Sequence, residues 1–274
     1  GHNGPITAMV VTHDGNRLCT GDTTGRVVLW NLQTGSALRT WQAHPGRVTA
    51  LAFSANGLRL ATAGFVQPGK TTGEARVWAT ETGECLDRLV GEWINNLGLT
   101  RSGDWVLAAN GRWLRAKRVG SSEPATALVP GQVSLFALRE DERQLALTEL
   151  ATGELRFYSV TFGDRATATR EKRQRGFSSL PLFLRYRPGG SLVATVGGDR
   201  VVRSWSADRP GTIRRLGPLP STPQACVLAP NGRHLIAGSW DGSIHELAMR
   251  TGDQRTLSSP HTRCIRALRG VGQC

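Results

Sequence analysis

The sequence predicts an all-β protein assembled from repeated units of four short antiparallel strands. Three observations indicate this fold class: short apolar segments recur along the chain, tight-turn sequences separate them at regular intervals, and no helical period competes with them. The chain has 274 residues and 39% hydrophobic content, which is enough to bury a sizeable core. Its 33 glycines and 13 prolines fall between the apolar segments, so we interpret them as turn residues.

The repeat is clearest in two segments near the start of the chain. Residues 6–30 and 48–78 both run apolar strand, Asn/Gly or Asp/Gly turn, apolar strand, glycine-containing turn, and a third strand that ends in Trp. Two more copies occupy residues 182–205 and 224–247, and weaker copies occupy residues 94–117 and 133–158. Inner turns such as HDGN at 13–16 support this register, because their residues tolerate positive φ.

The spacing of the units indicates the architecture. The third strands end at Trp30, Trp78, Lys117, Tyr158, Trp205 and Leu247, which gives a period of about 40–45 residues. Four short strands at that period are typical of a β-propeller, in which each unit forms one blade. The sequence therefore predicts a single β-propeller domain over residues 1–274.

Six complete blades fit before about residue 260. Their approximate bounds are 1–43, 44–90, 91–130, 131–176, 177–220 and 221–260. Residues 261–274 match the start of a further blade, with Ile265 and Leu268 in first-strand register. Because propellers close by pairing both chain ends in one blade, we expect a seven-bladed ring whose last blade is cut. A six-bladed ring with a short tail is the alternative.

The repeats resemble those of the WD-repeat family over nearly the whole chain. That family's repeat opens with Gly-His and ends its third strand near Trp-Asp. The pairs that stand at the opening here are Gly1-His2, Ala43-His44 and Pro260-His261. The closing tryptophans are Trp30, Trp78 and Trp205, and none of them is followed by Asp. These repeats are divergent. The spacing of their strands and turns identifies them better than the Gly-His and Trp-Asp motifs do.

The resemblance implies a buried network in each blade, which links the opening His, a Ser/Thr of the second strand, an Asp in the following turn and the Trp. The residues that match these positions, which we interpret as structural, are His2, Thr20, Trp30, His44, Thr62, Trp78, Thr195, Asp199, Trp205 and Asp241. In blade one, Thr24 occupies the position expected for Asp. We therefore expect no blade to complete the set, and packing to carry more of the stability.

The resemblance also implies where partners bind, namely on the face formed by the blade-to-blade loops and the turns between second and third strands. Aromatic residues and arginine are favoured as binding anchors there. The candidates on this face are Trp93, Trp240, Arg47, Asn95, Phe65 and Lys70. The alternative is that Trp93 and Trp240 fill the channel mouth or pack locally.

The sequence offers no arrangement for catalysis, metal binding or a cofactor. Its serines lie in turns without a nucleophile elbow or a positioned base. Its six histidines and five cysteines lack the spacing of a zinc site. We interpret the acidic run Glu140-Asp141-Glu142 as solvated charge in an inner turn. The protein is therefore expected not to be an enzyme and to have no small-molecule substrate.

The charge leaves one further class of partner open. The net charge of +13 could attract nucleic acid, although the arginines that supply most of it are scattered over every repeat. We interpret the one dense run, at residues 165–175, as a solvated connection or an edge strand.

Three functions follow from these observations. The resemblance implies a protein-interaction scaffold, whose partners are other proteins. The alternatives are a regulatory or targeting propeller of a larger enzyme, of the kinase or protease type, and nucleic-acid binding through an arginine-rich surface. No apolar run is long enough to span a membrane. The odd number of cysteines suggests free thiols in a reducing compartment, which favours a cytoplasmic location.

Overall fold

In the computed structural model, all regular secondary structure of the described residues is β-strand. The structure describes residues 1–67, 72–131, 133–149, 152, 154–175, 181–187, 189–209, 213–229 and 231–258. Across these ranges, 24 strands form six four-stranded antiparallel sheets, and strands adjacent in sequence are neighbours in each sheet. No helix in the described ranges is long and apolar enough to cross a membrane.

The first of two compact units covers residues 1–131 and 161–167 and contains three of the sheets. Sheet one consists of β1 (Ile6–Val11), β2 (Arg17–Asp22), β3 (Arg26–Asn31) and β4 (Ala37–Gln42). Sheet two consists of β5 (Val48–Phe53), β6 (Arg59–Phe65), β7 (Thr72–Ala79) and β8 (Cys85–Glu92). Sheet three consists of β9 (Asn96–Leu99), β10 (Trp105–Ala109), β11 (Trp113–Arg118) and β12 (Thr126–Pro130).

The second compact unit covers the described residues of 132–160 and 168–270. Sheet four consists of β13 (Val133–Leu138), β14 (Gln144–Glu149), β15 (Glu154–Phe162) and β16 (Ala166–Arg175). Sheet five consists of β17 (Pro181–Tyr186), β18 (Leu192–Gly197), β19 (Val202–Ser206) and β20 (Ile213–Leu216). Sheet six consists of β21 (Pro223–Leu228), β22 (His234–Ser239), β23 (Ile244–Ala248) and β24 (Gln254–Ser258).

The turn between the first and second strands repeats from sheet to sheet. In five of the six sheets a glycine at this turn has a φ between 63° and 81°, which a residue with a side chain rarely adopts. These glycines are Gly15, Gly57, Gly103, Gly189 and Gly232. Sheet four places Glu142 there instead, at a φ of 59°. The turns predicted from sequence therefore carry the backbone geometry that their residues suggested.

The core of each unit lies between successive sheets. In the first unit, Cys19 and Leu29 of sheet one are buried with Val48 and Trp78 of sheet two. In the second unit, Phe157 of sheet four is buried with residues of sheet five, including Trp205. Both faces of a strand are covered in this way, which is why the strands read as apolar runs rather than alternating ones.

The structure confirms six four-stranded antiparallel units. The start of a seventh, with His261 and Ile265, lies outside the described residues. The arginine-rich run forms β16, the edge strand of sheet four, so the edge-strand interpretation is confirmed.

Candidate functional site

Sheet one contains a complete buried network of His, Thr, Asp and Trp. His2 Nδ1 lies 2.9 Å from Asp22 Oδ2, and His2 Nε2 lies 2.6 Å from Thr20 Oγ1. Trp30 Nε1 donates to the same Thr20 hydroxyl at 2.7 Å. The expectation that no blade would complete the set is therefore wrong. Asp22, the last residue of β2, supplies the carboxylate, whereas Thr24 donates to Asp22 Oδ1 through its backbone N and its hydroxyl.

The Asp22 carboxylate is fully buried, and its surroundings hold it ionised. Burial raises the pKa of Asp22, but hydrogen bonds from Thr24, His2 and the backbone N–H of Arg26 outweigh that effect and lower it to about 2. A buried carboxylate is tolerated because each of its hydrogen-bond positions is used. This network stabilises the blade.

Sheet two builds the same network with a different acid. His44 Nε2 lies 2.8 Å from Thr62 Oγ1, which accepts from Trp78 Nε1 at 2.9 Å. His44 Nδ1 lies 3.3 Å from Glu74 Oε1. Glu74 comes from strand β7 and not from a turn, so a search for a turn aspartate misses it. The available signal was the single acidic residue in the third strand, GEARVW.

Two arginines complete the surroundings of Glu74. Arg76 Nη2 lies 2.5 Å from Glu74 Oε1 and Arg88 Nη2 lies 2.6 Å from Glu74 Oε2. Burial raises the pKa of Glu74, but hydrogen bonds from His44, Arg88 and Arg76 lower it to about 2. Burial also lowers the pKa of His44, which Glu74 offsets in part, so the imidazole is neutral near pH 7.

Sheets five and six retain fragments of the network. Trp205 Nε1 donates to Thr195 Oγ1 at 2.7 Å, while Asp199 binds the buried Arg203 with an Nη2–Oδ2 distance of 2.5 Å. In sheet six, Asp241 Oδ1 accepts from Ser243 Oγ at 2.5 Å. Sequence reasoning placed His245 in no network, yet its Nε2 lies 2.6 Å from that hydroxyl.

The Ser243–His245 pair is not arranged as a nucleophile and its base. The Ser243 hydroxyl has one hydrogen, which it donates to the Asp241 carboxylate. Its oxygen must then accept from His245 Nε2, whereas a general base would have to accept the serine proton at that nitrogen. His245 and Ser243 are also buried. In the described part of the chain, no group of three or more His, Cys, Asp or Glu residues could hold a metal ion.

The exposed candidates in the first unit form one surface, which we call the aromatic patch: Trp93, Phe65, Arg47 and Asn95. The Trp93 side chain is 52% exposed, and its ring centroid lies 6.1 Å from that of the half-buried Phe65. Arg47 and Asn95 are exposed. Phe65 N donates to Arg47 O at 3.2 Å, which fixes those two positions together. The structure thus brings Trp93, Phe65 and Arg47 together, and the exposed Asn95 lies two residues after Trp93 in the chain.

The backbone beneath Trp93 is held on both sides. The next residue, Ile94, is 1% exposed, and its carbonyl accepts from Thr49 Oγ1 at 2.7 Å. The residue before Trp93, Glu92, is the last residue of β8 and pairs with Thr72 of β7. Because Ile94 is buried in the core, the preceding side chain is directed outward. The exposure of Trp93 is therefore built into the short connection between β8 and β9 and does not depend on a loose loop.

The remaining two candidates lie elsewhere. Trp240 belongs to the second unit and is 62% exposed, although its backbone N donates to Thr222 O at 3.0 Å. Lys70 lies outside the described residues.

The family model described as "WD domain, G-beta repeat" matches three parts of the chain, residues 1–31, 35–78 and 221–245. These parts include the first two networks and most of sheet six.

Curated relatives match segments of the chain. The "COMPASS component SWD3" of Saccharomyces cerevisiae is 25% identical over 43% of this chain and 36% of its own length. The "Guanine nucleotide-binding protein subunit beta" of Arabidopsis thaliana is 34% identical over 36% of this chain and 24% of its own length. The "Protein ROOT INITIATION DEFECTIVE 3" of the same plant is 33% identical over 27% of this chain. Each match spans well under two thirds of the relative.

A solved structure matches almost the whole chain. The β-propeller domain of Cps50 (Swd1) from Myceliophteria thermophila has a TM-score of 0.82 and 15% sequence identity, and the match covers 98% of this chain and 91% of that domain. This likeness shows the β-propeller fold.

Proposed function

The chain is a WD-repeat protein with the β-propeller fold, and we propose that it is a protein-interaction scaffold whose contact surface is the aromatic patch. The observation that carries this proposal is the half-exposed Trp93 in a connection whose next residue, Ile94, is buried and hydrogen-bonded to Thr49. A large aromatic side chain held in place loses little conformational entropy on binding and buries much apolar area. Arg47 and Asn95 supply polar contacts at its border, which is the usual composition of a protein-binding site.

The polar networks support a scaffold rather than an enzyme. In sheets one, two and six, the histidines His2, His44 and His245 are committed to partners inside a blade. Their donors and acceptors serve the fold, so these three histidines are not free to act as general acid or base. We accordingly propose that the propeller itself is not catalytic.

The names of two relatives point the same way. One is a component of COMPASS and another is a subunit of a guanine nucleotide-binding protein, so both belong to larger assemblies. This chain matches less than two thirds of the length of each relative. The alternative to a stand-alone scaffold is that it is the regulatory or targeting part of a larger enzyme. In either setting the aromatic patch is the proposed contact surface.

Capture of partners tests the proposal directly. Immobilised wild-type protein is compared with Trp93→Ala for the proteins that it retains from a lysate. We expect Trp93→Ala to lose the retained proteins, because loss of a binding anchor typically costs about 2 kcal/mol or more of binding free energy. Its melting temperature should stay close to that of wild type, since the indole is half exposed.

Leu38→Ala is the matched control. Leu38 is 51% exposed on β4 in the same unit, so this variant removes a similarly exposed apolar side chain outside the aromatic patch. It should retain the same proteins as wild type. Equal capture by wild type and Trp93→Ala would refute the patch as the contact surface.

Nucleic-acid binding is the second candidate, favoured by the net charge of +13 and by exposed arginines on β16 such as Arg170 and Arg173. Binding through phosphate contacts would weaken steeply with added salt. An electrophoretic shift of duplex DNA or single-stranded RNA that falls steeply between low and physiological salt would support it. Absence of any shift at low salt would remove it.

A further inference from the structure

A cavity of about 790 Å³ opens between sheets five and six of the second unit. It lies at the end of these sheets where the first and second strands are joined, and it contains no residue of the aromatic patch or of the networks. Its volume falls within the range of about 300–1,000 Å³ found for ligand sites. The proposed function leaves it unexplained.

The cavity wall is strongly basic. Four arginines line it, and no carboxylate does; the arginines are Arg187, Arg214, Arg233 and Arg250. His234 also lines the cavity, and its Nδ1 lies 3.4 Å from Glu246 Oε1. All four arginines are exposed. No described carboxylate lies within ion-pair distance of any of them, whereas other arginines of the same unit, such as Arg156 and Arg255, are paired. The positive potential of this wall is therefore not neutralised by its own surroundings.

The turn glycine of sheet six lies against one of these arginines. Gly232 is buried at a φ of +63°, and a Cβ built on it would lie 2.4 Å from Arg187 Cγ and 2.6 Å from Arg187 Nε. The stem of Arg187 thus lies directly across the glycine, where any larger residue would displace it. The absence of a side chain at Gly232 therefore leaves the room that the Arg187 stem occupies beside the cavity.

Apolar side chains and hydroxyls complete the lining. Leu192, Leu228 and Met249 supply apolar area, and Ser204 and Ser206 supply hydroxyl groups. No Trp, Tyr or Phe lines the cavity, so a nucleic-acid base would find only His234 and the arginine guanidinium groups to stack on. A small inorganic anion would leave the apolar lining uncovered. An extended peptide that carries both carboxylates and apolar side chains complements both kinds of surface.

We propose that this cavity, which we call the basic cavity, binds an acidic segment of a partner protein in which Asp or Glu alternates with apolar residues. In an extended peptide successive side chains point to opposite sides, so one side can face the arginines while the other packs on Leu228 and Met249. Arginine binds carboxylates through two parallel hydrogen bonds, which favours it over lysine for this task.

Fluorescence anisotropy with a synthetic peptide tests this proposal. The probe is a fluorescein-labelled ten-residue peptide of alternating glutamate and leucine, and its match has glutamine in place of glutamate. We expect the glutamate peptide to bind the full chain and the glutamine peptide to bind at least about tenfold more weakly. Arg187→Gln/Arg233→Gln should weaken binding of the glutamate peptide by at least about tenfold.

Arg143→Gln/Arg215→Gln is the matched control, because both residues are exposed in the same unit, neither lines the cavity, and the net charge falls equally. This control should bind the glutamate peptide within about threefold of wild type. If the cavity variant does not fold, Arg250→Gln tests the same wall, with an expected loss of at least about threefold.

Three results would overturn the proposal. Equal weakening by both double variants would mean that net charge alone attracts the peptide. Equal binding of the two peptides would mean that the carboxylates are not recognised. Displacement of the peptide by a short RNA at lower concentration than by unlabelled peptide would mean that nucleic acid is the preferred ligand.

The variant Trp93→Ala should bind the peptide as wild type does, because Trp93 does not line the basic cavity. This proposal and the scaffold proposal can therefore fail separately.

Discussion

Two carboxylates in this chain each pair with a histidine of a blade network, but they come from different backbone positions. Asp22 ends β2 and reaches His2 at 2.9 Å, whereas Glu74 extends from β7 to reach His44 at 3.3 Å. The longer side chain of glutamate allows the acid to sit on a strand when the preceding turn is lengthened. The fold requires an ionised acceptor for the histidine Nδ1. Either the end of β2 or a residue of β7 can supply that acceptor.

Gly64 leaves the space that the His44 ring occupies. A Cβ at Gly64 would lie 2.5 Å from His44 Cγ and 2.7 Å from His44 Cδ2, far inside van der Waals contact. We predict that Gly64→Ala displaces the ring, breaks its contacts with Thr62 and Glu74, and lowers the free energy of unfolding by about 1–3 kcal/mol. Urea denaturation measures this change.

Gly163→Ala is the control for that variant. A Cβ added at Gly163 would have no neighbouring atom within 4 Å, and the residue does not adopt a positive φ, so an alanine meets neither obstacle. Its free energy of unfolding should match that of wild type. If both alanine variants unfold at the same urea concentration, the ring of His44 does not depend on Gly64.

Sheets one and two each depend on a buried ionised acid, which makes their stability sensitive to pH. The pKa values of Asp22 and Glu74 are about 2 in the folded protein. They are about 3.9 and 4.3 in an unfolded chain, so the stabilisation is complete above about pH 5 and is lost as the pH falls towards 2. His44 acts in the same direction, because its lowered folded-state pKa lets the unfolded chain take up a proton first below about pH 6.5.

The variant Glu74→Gln isolates the contribution of Glu74 to this pH dependence of stability. At pH 7 this variant should be less stable than wild type by about 2–3 kcal/mol, because Gln cannot pair with Arg76 and Arg88 as a charged acceptor. We predict that the difference in melting temperature between the two proteins narrows as the pH is lowered from 5 to 3. A difference that stays constant over this range would show that Glu74 is not held ionised.

The strands and first turns could be predicted from the sequence, and the networks could be predicted in part. Strands and tight turns depend mainly on residues close in sequence, so apolar runs and turn glycines such as Gly15 are enough to predict them. The pairing of His2 with Asp22 depends on how the chain end meets β2, and register alone suggested Thr24. The inner turn at Glu142 was predicted from its place in the repeat, but its positive φ of 59°, which glycine adopts in the other sheets, was not.

Across the molecule, the number of complete blades followed from the period, whereas the surfaces followed only in part. The aromatic patch was predicted from Trp93 and Phe65 by their position in the repeat, although their ring contact needed the structure. The basic cavity was not predicted, because Arg187, Arg214 and Arg233 come from three separate segments. In the sequence these arginines are scattered, and only the fold brings them to one wall of the basic cavity.

Oxidative footprinting of the eight tryptophans in the free protein and in a captured complex tests the scaffold proposal most directly. In the free protein, Trp93 should be oxidised readily, whereas Trp78 and Trp205, which are 6% and 0% exposed, should stay unmodified. In the complex, we predict that Trp93 becomes protected while the buried tryptophans are unchanged. Equal oxidation of Trp93 in the free and bound states would contradict the account, because the partner would then leave the aromatic patch uncovered.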